Sequence, residues 1–240
     1  MAHVVGLTDV DDKGQEGLEL AYNNWLEGQA GLKQVIKDRL GHVVADIRAI
    51  RPPKPGHDLQ ISLDKRIQYV AYRELKAGVE RYRADSGSVV VLDVKTGEIL
   101  AMVNWPSYNP NHRRSAQDGH ARNRAVTDLF EPGSTIKSFS MASVLSNSQF
   151  TPSSQIDTSP GWMIIAGKRI TDERNNGVMD LTKILQISSN MGMSKLILSQ
   201  PAENLWNTLH RVGFGQVTES NFPGERTGNL PHFKVWNPFV

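Results

Sequence analysis

The 240-residue sequence contains no cysteine, so it can form neither a disulfide framework nor a thiolate metal site. It lacks the His-x-x-His and Glu-x-x-His spacings of metal sites and the glycine-rich loops that bind nucleotides. No apolar run approaches the roughly 18–20 residues that span a bilayer, and the first residues do not form a signal peptide. The net charge of +2 gives no strong pull toward nucleic acid. We therefore expect no cofactor, no metal ion and no nucleic-acid partner.

A proline-rich segment at residues 51–56 predicts a stiff linker and a domain boundary between residues 1–57 and 58–240. In the first region, the apolar spacing of residues 16–26 predicts a helix, and two β-rich runs within residues 35–47 flank a turn.

The second region begins with residues 58–63, whose alternation of polar and apolar side chains predicts a strand. Asp64 then predicts the N-cap of a helix that reaches about residue 83. Two β-rich runs within residues 88–104 predict a hairpin, and packing that hairpin beneath the helix would form a helix-on-sheet layer. The expected fold class is α+β.

Residues 131–137 read Glu-Pro-Gly-Ser-Thr-Ile-Lys, and the Pro-Gly turn places Ser134 where a helix would begin. Ser134 and Lys137 are three residues apart, so they share one face of that helix. Lys137 is the one charged residue between residues 134 and 148, which are otherwise typical of a buried helix. Burial lowers the proton affinity of a lysine, and a neutral amine one turn from a serine can accept the proton of its hydroxyl.

Residues 188–190 read Ser-Ser-Asn and interrupt two apolar helical runs at residues 181–187 and 191–198. Serine and asparagine are common helix caps, so a simple break between two helices is one interpretation. A Ser-x-Asn that follows a Ser-x-x-Lys favours another, in which a hydroxyl and a carboxamide lie opposite the nucleophile.

Together these motifs resemble the class B penicillin-binding proteins, most strongly the septal, cell-division members. Residues 122–137 are similar to the active-site segment of that family, and residues 93–102 and 106–111 to the strands and loop before it. Two stretches within residues 2–19 resemble the end of the family's pedestal domain. The resemblance covers nearly the whole chain, with its parts in the same order.

The resemblance implies a specific architecture. Residues 58–240 would form the N-terminal part of a penicillin-binding, serine β-lactamase-like transpeptidase domain, in which a helical cluster lies on an antiparallel sheet. Residues 1–57 would form the C-terminal part of the non-catalytic pedestal domain, with its linker.

The resemblance also implies residue roles. Ser134 would be the acylated nucleophile and Lys137 its general base, while Ser188 would relay a proton and Asn190 would bind the substrate backbone. The implied enzyme is a serine-type D-Ala-D-Ala transpeptidase that cross-links peptidoglycan stem peptides and is acylated by β-lactams. Its implied location is the periplasmic face of the bacterial inner membrane at the division septum. Its implied partners are divisome proteins, including the septal glycosyltransferase.

The third motif of the family, a Lys-Thr-Gly strand after Ser-x-Asn, has no clear counterpart. Residues 95–97 read Lys-Thr-Gly, but they lie between two β-rich runs and predict a hairpin turn. Residues 226–228 read Arg-Thr-Gly in a loop-like context. We therefore expect a fragment without the membrane anchor and without the third motif, which has little activity by itself.

Two other functions remain open at this point. The chain would be a non-catalytic module that binds divisome proteins if the site is incomplete. It would be a β-lactam hydrolase or sensor if the Ser-x-x-Lys chemistry serves another reaction, although the pedestal-like residues 1–57 argue against this.

Overall fold

The computed structural model describes residues 1–116, 119–147 and 149–237. Contacts within the chain divide it into two compact units. The first consists of Met1–Asp128 with Glu219–Glu225, and the second of Leu129–Thr218 with Arg226–Val240. Every strand pair among the described residues is antiparallel.

The first unit combines short helices, two-stranded sheets and one long helix. Its helices and strands are α1 (Ala2–Val5), β1 (Leu7–Thr8), β2 (Gly14–Glu16), α2 (Gly17–Ala21), α3 (Asn23–Leu26), β3 (Leu32–Lys37), β4 (Val43–Arg51), α4 (Lys65–Tyr82), β5 (Gly87–Leu92), β6 (Ile99–Trp105), a 3₁₀ turn (Arg113–Ala116) and α5 (Arg124–Thr127).

Helix α4 packs on the hairpin β5–β6, as the sequence predicts. The carboxylate of Asp64 accepts hydrogen bonds from the backbone N–H groups of Arg66 (2.7 Å) and Ile67 (3.2 Å), which caps the helix. One turn further, the buried side chain of Gln68 donates to the carbonyl of Met102 and accepts from its N–H, each at 2.8 Å. These two bonds fasten the helix to strand β6.

The strand predicted at residues 58–63 is wrong. Among the described residues, this stretch has no strand, and two single hydrogen bonds join it and the next residue to β6. They run from Ser62 Oγ to the carbonyl of Ile99 (2.8 Å) and from Asp64 N–H to the carbonyl of Leu100 (2.9 Å). The side chain of Gln68 occupies the next backbone groups of that edge, so no regular ladder forms. The helix predicted at residues 16–26 is also interrupted, because the backbone leaves the helical region between α2 and α3.

The Lys-Thr-Gly at residues 95–97 is the turn of the hairpin β5–β6, as predicted. The carboxylate of Asp93 accepts from the N–H groups of Lys95 (2.7 Å) and Thr96 (3.1 Å). Gly97 has a positive φ of 78°, a conformation that glycine adopts without steric cost. Residues 226–228 form a loop.

The second unit contains five helical segments, two strand pairs and a final turn among its described residues. They are a 3₁₀ turn (Gly133–Ile136), α6 (Lys137–Asn147), β7 (Gln155–Asp157), β8 (Trp162–Ile165), β9 (Lys168–Thr171), β10 (Val178–Asp180), α7 (Leu181–Gln186), α8 (Asn190–Leu198), α9 (Ala202–Arg211) and a 3₁₀ turn (Phe233–Val235). Strand β8 pairs with β9, and β7 with β10.

Helices α6, α7 and α8 share the core of the second unit. Val144, Ile184 and Leu196, one from each helix, are 0% exposed. A Cβ on Gly192 of α8 would lie 2.7–2.8 Å from side-chain atoms of Ile184, so the absence of a side chain lets α8 approach α7 closely. Because close-packed interiors do not deform easily, this core fixes the ends of the three helices.

Candidate active site

The serine of the Ser-x-x-Lys motif lies in a tight turn that leads into helix α6. Gly133 has a φ of 58° with open space around it, so backbone conformation and not crowding favours glycine there. Ser134 follows in the 3₁₀ turn and is exposed. In 3₁₀ geometry residues i and i+3 lie on the same side, so Ser134 and Lys137 face the same way. Among the described residues, no group forms a hydrogen bond with Ser134 Oγ.

The serine of the Ser-x-Asn motif lies at the end of helix α7, in a strained conformation. The N–H of Ser188 donates to the carbonyl of Leu185 (3.1 Å) and that of Ser189 to the carbonyl of Ile184 (2.9 Å). These two bonds form a Schellman motif, whose left-handed position is usually occupied by glycine. Here Ser188 occupies it, with a φ of 56°. Left-handed non-glycine residues concentrate at functional sites, where the surrounding structure imposes the strain.

The amine of Lys137 joins the two motifs. Its Nζ lies 2.6 Å from the carbonyl oxygen of Ser188, 3.0 Å from Ser188 Oγ and 2.6 Å from Asn190 Oδ1. The structure therefore brings together three of the four residues that the resemblance assigns to the site. The fourth, Ser134, lies one turn before Lys137, and its side chain is exposed to solvent.

The hydrogen-bond roles in this group follow from chemistry. A carbonyl oxygen can only accept, so the amide of Asn190 donates through Nδ2 to the carbonyl of Thr171 (3.0 Å) and turns Oδ1 toward Lys137. Two N–H groups of Lys137 thus serve acceptors that cannot donate. Its third partner, the Ser188 hydroxyl, can donate or accept. A neutral Lys137 can keep both short bonds and accept the Ser188 proton with its lone pair, so a proton can pass between the two without movement of heavy atoms.

The environment of Lys137 shifts the pKa of its amine. Burial lowers the pKa of Lys137, and the negative charge of Asp172 opposes that shift by raising it. The net direction is downward. A lysine with a lowered pKa is a better general base near neutral pH than an ordinary one.

One residue of the site has no local signal in the sequence. Asp172 lies just after strand β9, where residues 172–174 predict an exposed loop. That prediction is correct for Glu173 and Arg174, which are exposed, but the half-buried Asp172 carboxylate contacts the first turn of α8. The sequence pattern alone does not connect residues so far apart.

No group of three or more metal-ligating side chains lies together in the part of the chain that the structure describes. No helix among the described residues is long and apolar enough to cross a membrane. The site combines an exposed serine, one turn from a lysine of lowered pKa, with a second hydroxyl and a carboxamide that contact the lysine amine. Serine acyl transfer uses side chains of these types.

The chain belongs to the penicillin-binding protein transpeptidase family. Residues 87–239 match the family model of the penicillin-binding protein transpeptidase domain, and residues 4–61 match that of the penicillin-binding protein dimerisation domain. The resemblance stated from the motifs is thereby confirmed, as is the α+β transpeptidase fold.

Curated relatives and solved structures agree with this assignment. The chain is 43% identical to the probable peptidoglycan D,D-transpeptidase PbpC of Pseudomonas aeruginosa, over 98% of this chain and 42% of that protein. It is 42% identical to the peptidoglycan D,D-transpeptidase FtsI of Escherichia coli, over 98% of this chain and 40% of that protein. The structure resembles penicillin-binding protein 3 of Mycobacterium tuberculosis with a TM-score of 0.82 and 30% identity, over 99% of this chain and 50% of that one. The chain thus spans about two fifths of the length of these curated relatives.

Proposed function

We propose that this chain carries the acyl-transfer centre of a peptidoglycan D,D-transpeptidase. Ser134 is the nucleophile, Lys137 its general base, Ser188 the proton relay, and Asn190 a ligand of the substrate backbone. The observation that carries this proposal is the position of Lys137 Nζ, 3.0 Å from Ser188 Oγ and 2.6 Å from Asn190 Oδ1.

In the first half-reaction, neutral Lys137 takes the proton of Ser134 Oγ as this oxygen attacks the carbonyl carbon of the penultimate D-alanine. The bond from that carbon to the nitrogen of the terminal D-alanine then breaks. Ser188 donates its proton to the leaving amine and receives one from the Lys137 ammonium. Free D-alanine and an ester on Ser134 result.

In the second half-reaction, an amine from a neighbouring stem peptide attacks the ester carbon. The proton of this amine returns through Ser188 and Lys137 to Ser134 Oγ, which leaves as the hydroxyl. The product is a cross-link between two peptides. A β-lactam acylates Ser134 by ring opening, and because its leaving amine stays attached, the ester persists.

The substrate, location and partners of the whole protein belong to the same proposal. The names of the relatives, peptidoglycan D,D-transpeptidases, support a stem peptide that ends in D-Ala-D-Ala as substrate. The resemblance to septal members supports a location on the periplasmic face of the inner membrane at the septum. It also supports divisome partners, including the septal glycosyltransferase.

The domain division belongs to the proposal as well. Residues 1–57 would be the end of the pedestal with its linker, and residues 58–240 the start of the transpeptidase domain. The two family matches, at residues 4–61 and 87–239, support a change of domain in this part of the chain. The compact units follow a different division, since the first continues through Asp128.

Acylation by a fluorescent penicillin tests the assignment in the full-length protein. We expect one stable adduct on Ser134, identified by peptide mass spectrometry, and none in Ser134→Ala. Lys137→Met should slow acylation by about 10²–10⁴-fold, the usual contribution of a general base. The exposed Lys65→Met at the start of α4 is the matched control and should acylate normally.

Three results would contradict the proposal. These are an adduct on another residue, an unchanged rate in Lys137→Met, and rapid release of hydrolysed penicillin, which would indicate a β-lactam hydrolase. The 240-residue chain tested alone should label more weakly than the full-length protein, because it spans two fifths of the length of its relatives. Equal labelling would refute that part of the proposal.

A further inference from the structure

Both carboxylate oxygens of Asp172 are engaged by the start of helix α8. Oδ1 accepts from the N–H groups of Asn190 (2.6 Å) and Met191 (3.0 Å), and Oδ2 accepts from Ser189 Oγ (2.6 Å). Ser189 Oγ in turn accepts from the N–H of Gly192 (2.9 Å). The first three N–H groups of α8, which have no partner within the helix, are therefore all satisfied.

Asp172 is itself held in place by the hairpin β8–β9. Its N–H donates to the carbonyl of Gly161 (2.9 Å), and the carbonyl of its neighbour Thr171 accepts from Asn190 Nδ2 (3.0 Å). Asn190 is thus held by its backbone at Asp172 and by its side chain at Thr171. This double attachment leaves Asn190 Oδ1 directed at Lys137.

We propose that Asp172 is a positioning residue of the acyl-transfer site, which fixes the first turn of α8 so that Ser188 and Asn190 meet the amine of Lys137. The proposal rests on the function proposed above. Asp172 acts through the backbone of α8 and through Ser189, and it forms no hydrogen bond with Lys137 among the described contacts.

The charge of Asp172 has a second effect. Its carboxylate favours the ammonium form of Lys137, in opposition to burial. It is the one charged group of the described residues that shifts the pKa of Lys137. A carboxamide at position 172 would keep the shape and lose this charge, so geometry and charge can be tested separately.

The test compares Asp172→Asn and Asp172→Ala in the full-length protein. Asp172→Ala removes all three contacts, and we expect acylation by fluorescent penicillin to slow by about 10²-fold, as displaced catalytic groups do. Asp172→Asn should lose less activity. The acidic limb of its pH–rate profile should move to lower pH, because the charge that raises the pKa of Lys137 is gone.

The matched control is Asp180→Asn. Asp180 caps helix α7 of the same unit by accepting from the N–H of Lys183 (2.6 Å). None of its hydrogen bonds among the described residues reaches Ser188 or Asn190. We expect nearly unchanged stability, rate and pH profile, because an asparagine carboxamide caps a helix about as well as an aspartate.

Amide hydrogen exchange supplies a readout that does not depend on catalysis. The amides of Asn190 and Met191 should exchange faster in Asp172→Ala than in the wild type, and not in Asp180→Asn. If the wild-type protein forms no penicillin adduct on Ser134, the proposed function is overturned. The exchange data would still test whether Asp172 positions the start of α8. Normal acylation and normal exchange in Asp172→Ala would overturn the positioning role, and Asp172→Ser, which loses the same contacts, serves if Asp172→Ala does not fold. An unshifted pH profile in Asp172→Asn would overturn the effect of the charge on Lys137.

Discussion

Helix α4 of the first unit and helix α8 of the second begin in different ways. Asp64, directly before α4, caps that helix alone. Helix α8 is capped by Ser189, directly before it, and by Asp172, which is 18 residues distant from Asn190. A local cap stabilises only its own helix, whereas the distant carboxylate also ties α8 to a hairpin. The difference shows that the second helix start is built for position as well as stability.

The ends of α4 and α7 differ in a similar way. Both end with a non-glycine residue in the left-handed region, Arg83 with a φ of 52° and Ser188 with a φ of 56°. Arg83 is exposed, and glycine could replace it without loss of a site contact. Ser188 contacts Lys137 through both its carbonyl and its hydroxyl. Strain at Ser188 therefore accompanies contacts with Lys137 in the proposed site, and strain at Arg83 does not.

Among the tests of this comparison, the largest expected effect comes from removing the Ser188 hydroxyl. Ser188→Gly and Ser188→Ala should both slow penicillin acylation by about 10²-fold, because both lose the hydroxyl that we propose as the proton relay. Ser188→Gly should be more stable than Ser188→Ala by about 1 kcal/mol, since glycine avoids the left-handed penalty. Acylation rates and chemical denaturation measure the two effects.

Arg83→Gly is the control for the glycine substitution. It should relieve the same backbone strain and leave acylation unchanged. A Ser188→Gly protein that acylates as fast as the wild type would remove the distinction between the two helix ends.

A smaller effect is expected from methyl groups added to each helix. Gly192→Ala in α8 would bring Cβ to 2.7–2.8 Å from the Ile184 side chain, and such overpacking typically costs about 1–3 kcal/mol. Gly78→Ala in α4 meets no atom within 4 Å. It should stabilise by about 0.4–1 kcal/mol through the unfolded state. Denaturant unfolding measures the change in the free energy of unfolding of each variant. Changes of opposite sign would support the comparison, and changes of the same sign would contradict it.

The smallest effect should come from the local cap. Asp64→Asn keeps the cap hydrogen bonds and loses only an exposed charge, so it should lower the Tm by at most about 2 °C without changing acylation. Hydrogen bonds from the Arg66 guanidinium, and then from backbone N–H groups, lower the pKa of Asp64 from 3.8 to about 2. The stabilisation is therefore complete above pH 3.8 and is lost as the pH falls toward 2.

Thermal unfolding at several pH values checks this prediction. The Tm difference between wild type and Asp64→Asn should shrink as the pH falls through that range. A difference that stays constant would mean that the carboxylate charge does not contribute.

Features that depend on neighbouring residues were predictable. The cap at Asp64, the hairpins β3–β4 and β5–β6, and the helix break at residues 188–190 all follow from local propensity and periodicity. The strand at residues 58–63 was wrong because the partner edge on β6 is occupied by Gln68, a contact that alternation cannot reveal.

The candidate site also combines features set by neighbouring residues with features set by distant contacts. The spacing of Ser134 and Lys137, and the hydroxyl and carboxamide of Ser188 and Asn190, suggested the groups of the proposed site, because their chemistry is a property of the side chains. The spacing did not reveal Asp172.

The sequence by itself determined the family, the candidate side chains of the proposed site and most of the local elements that carry them. Only the tertiary structure decided that the Lys137 amine meets Ser188 and Asn190, that Ser188 is held in a strained turn, and that Asp172 orders the start of α8. The physical reason is that these contacts join residues distant along the chain. Their geometry comes from the packing of helices α6, α7 and α8 around one core, which no local pattern encodes.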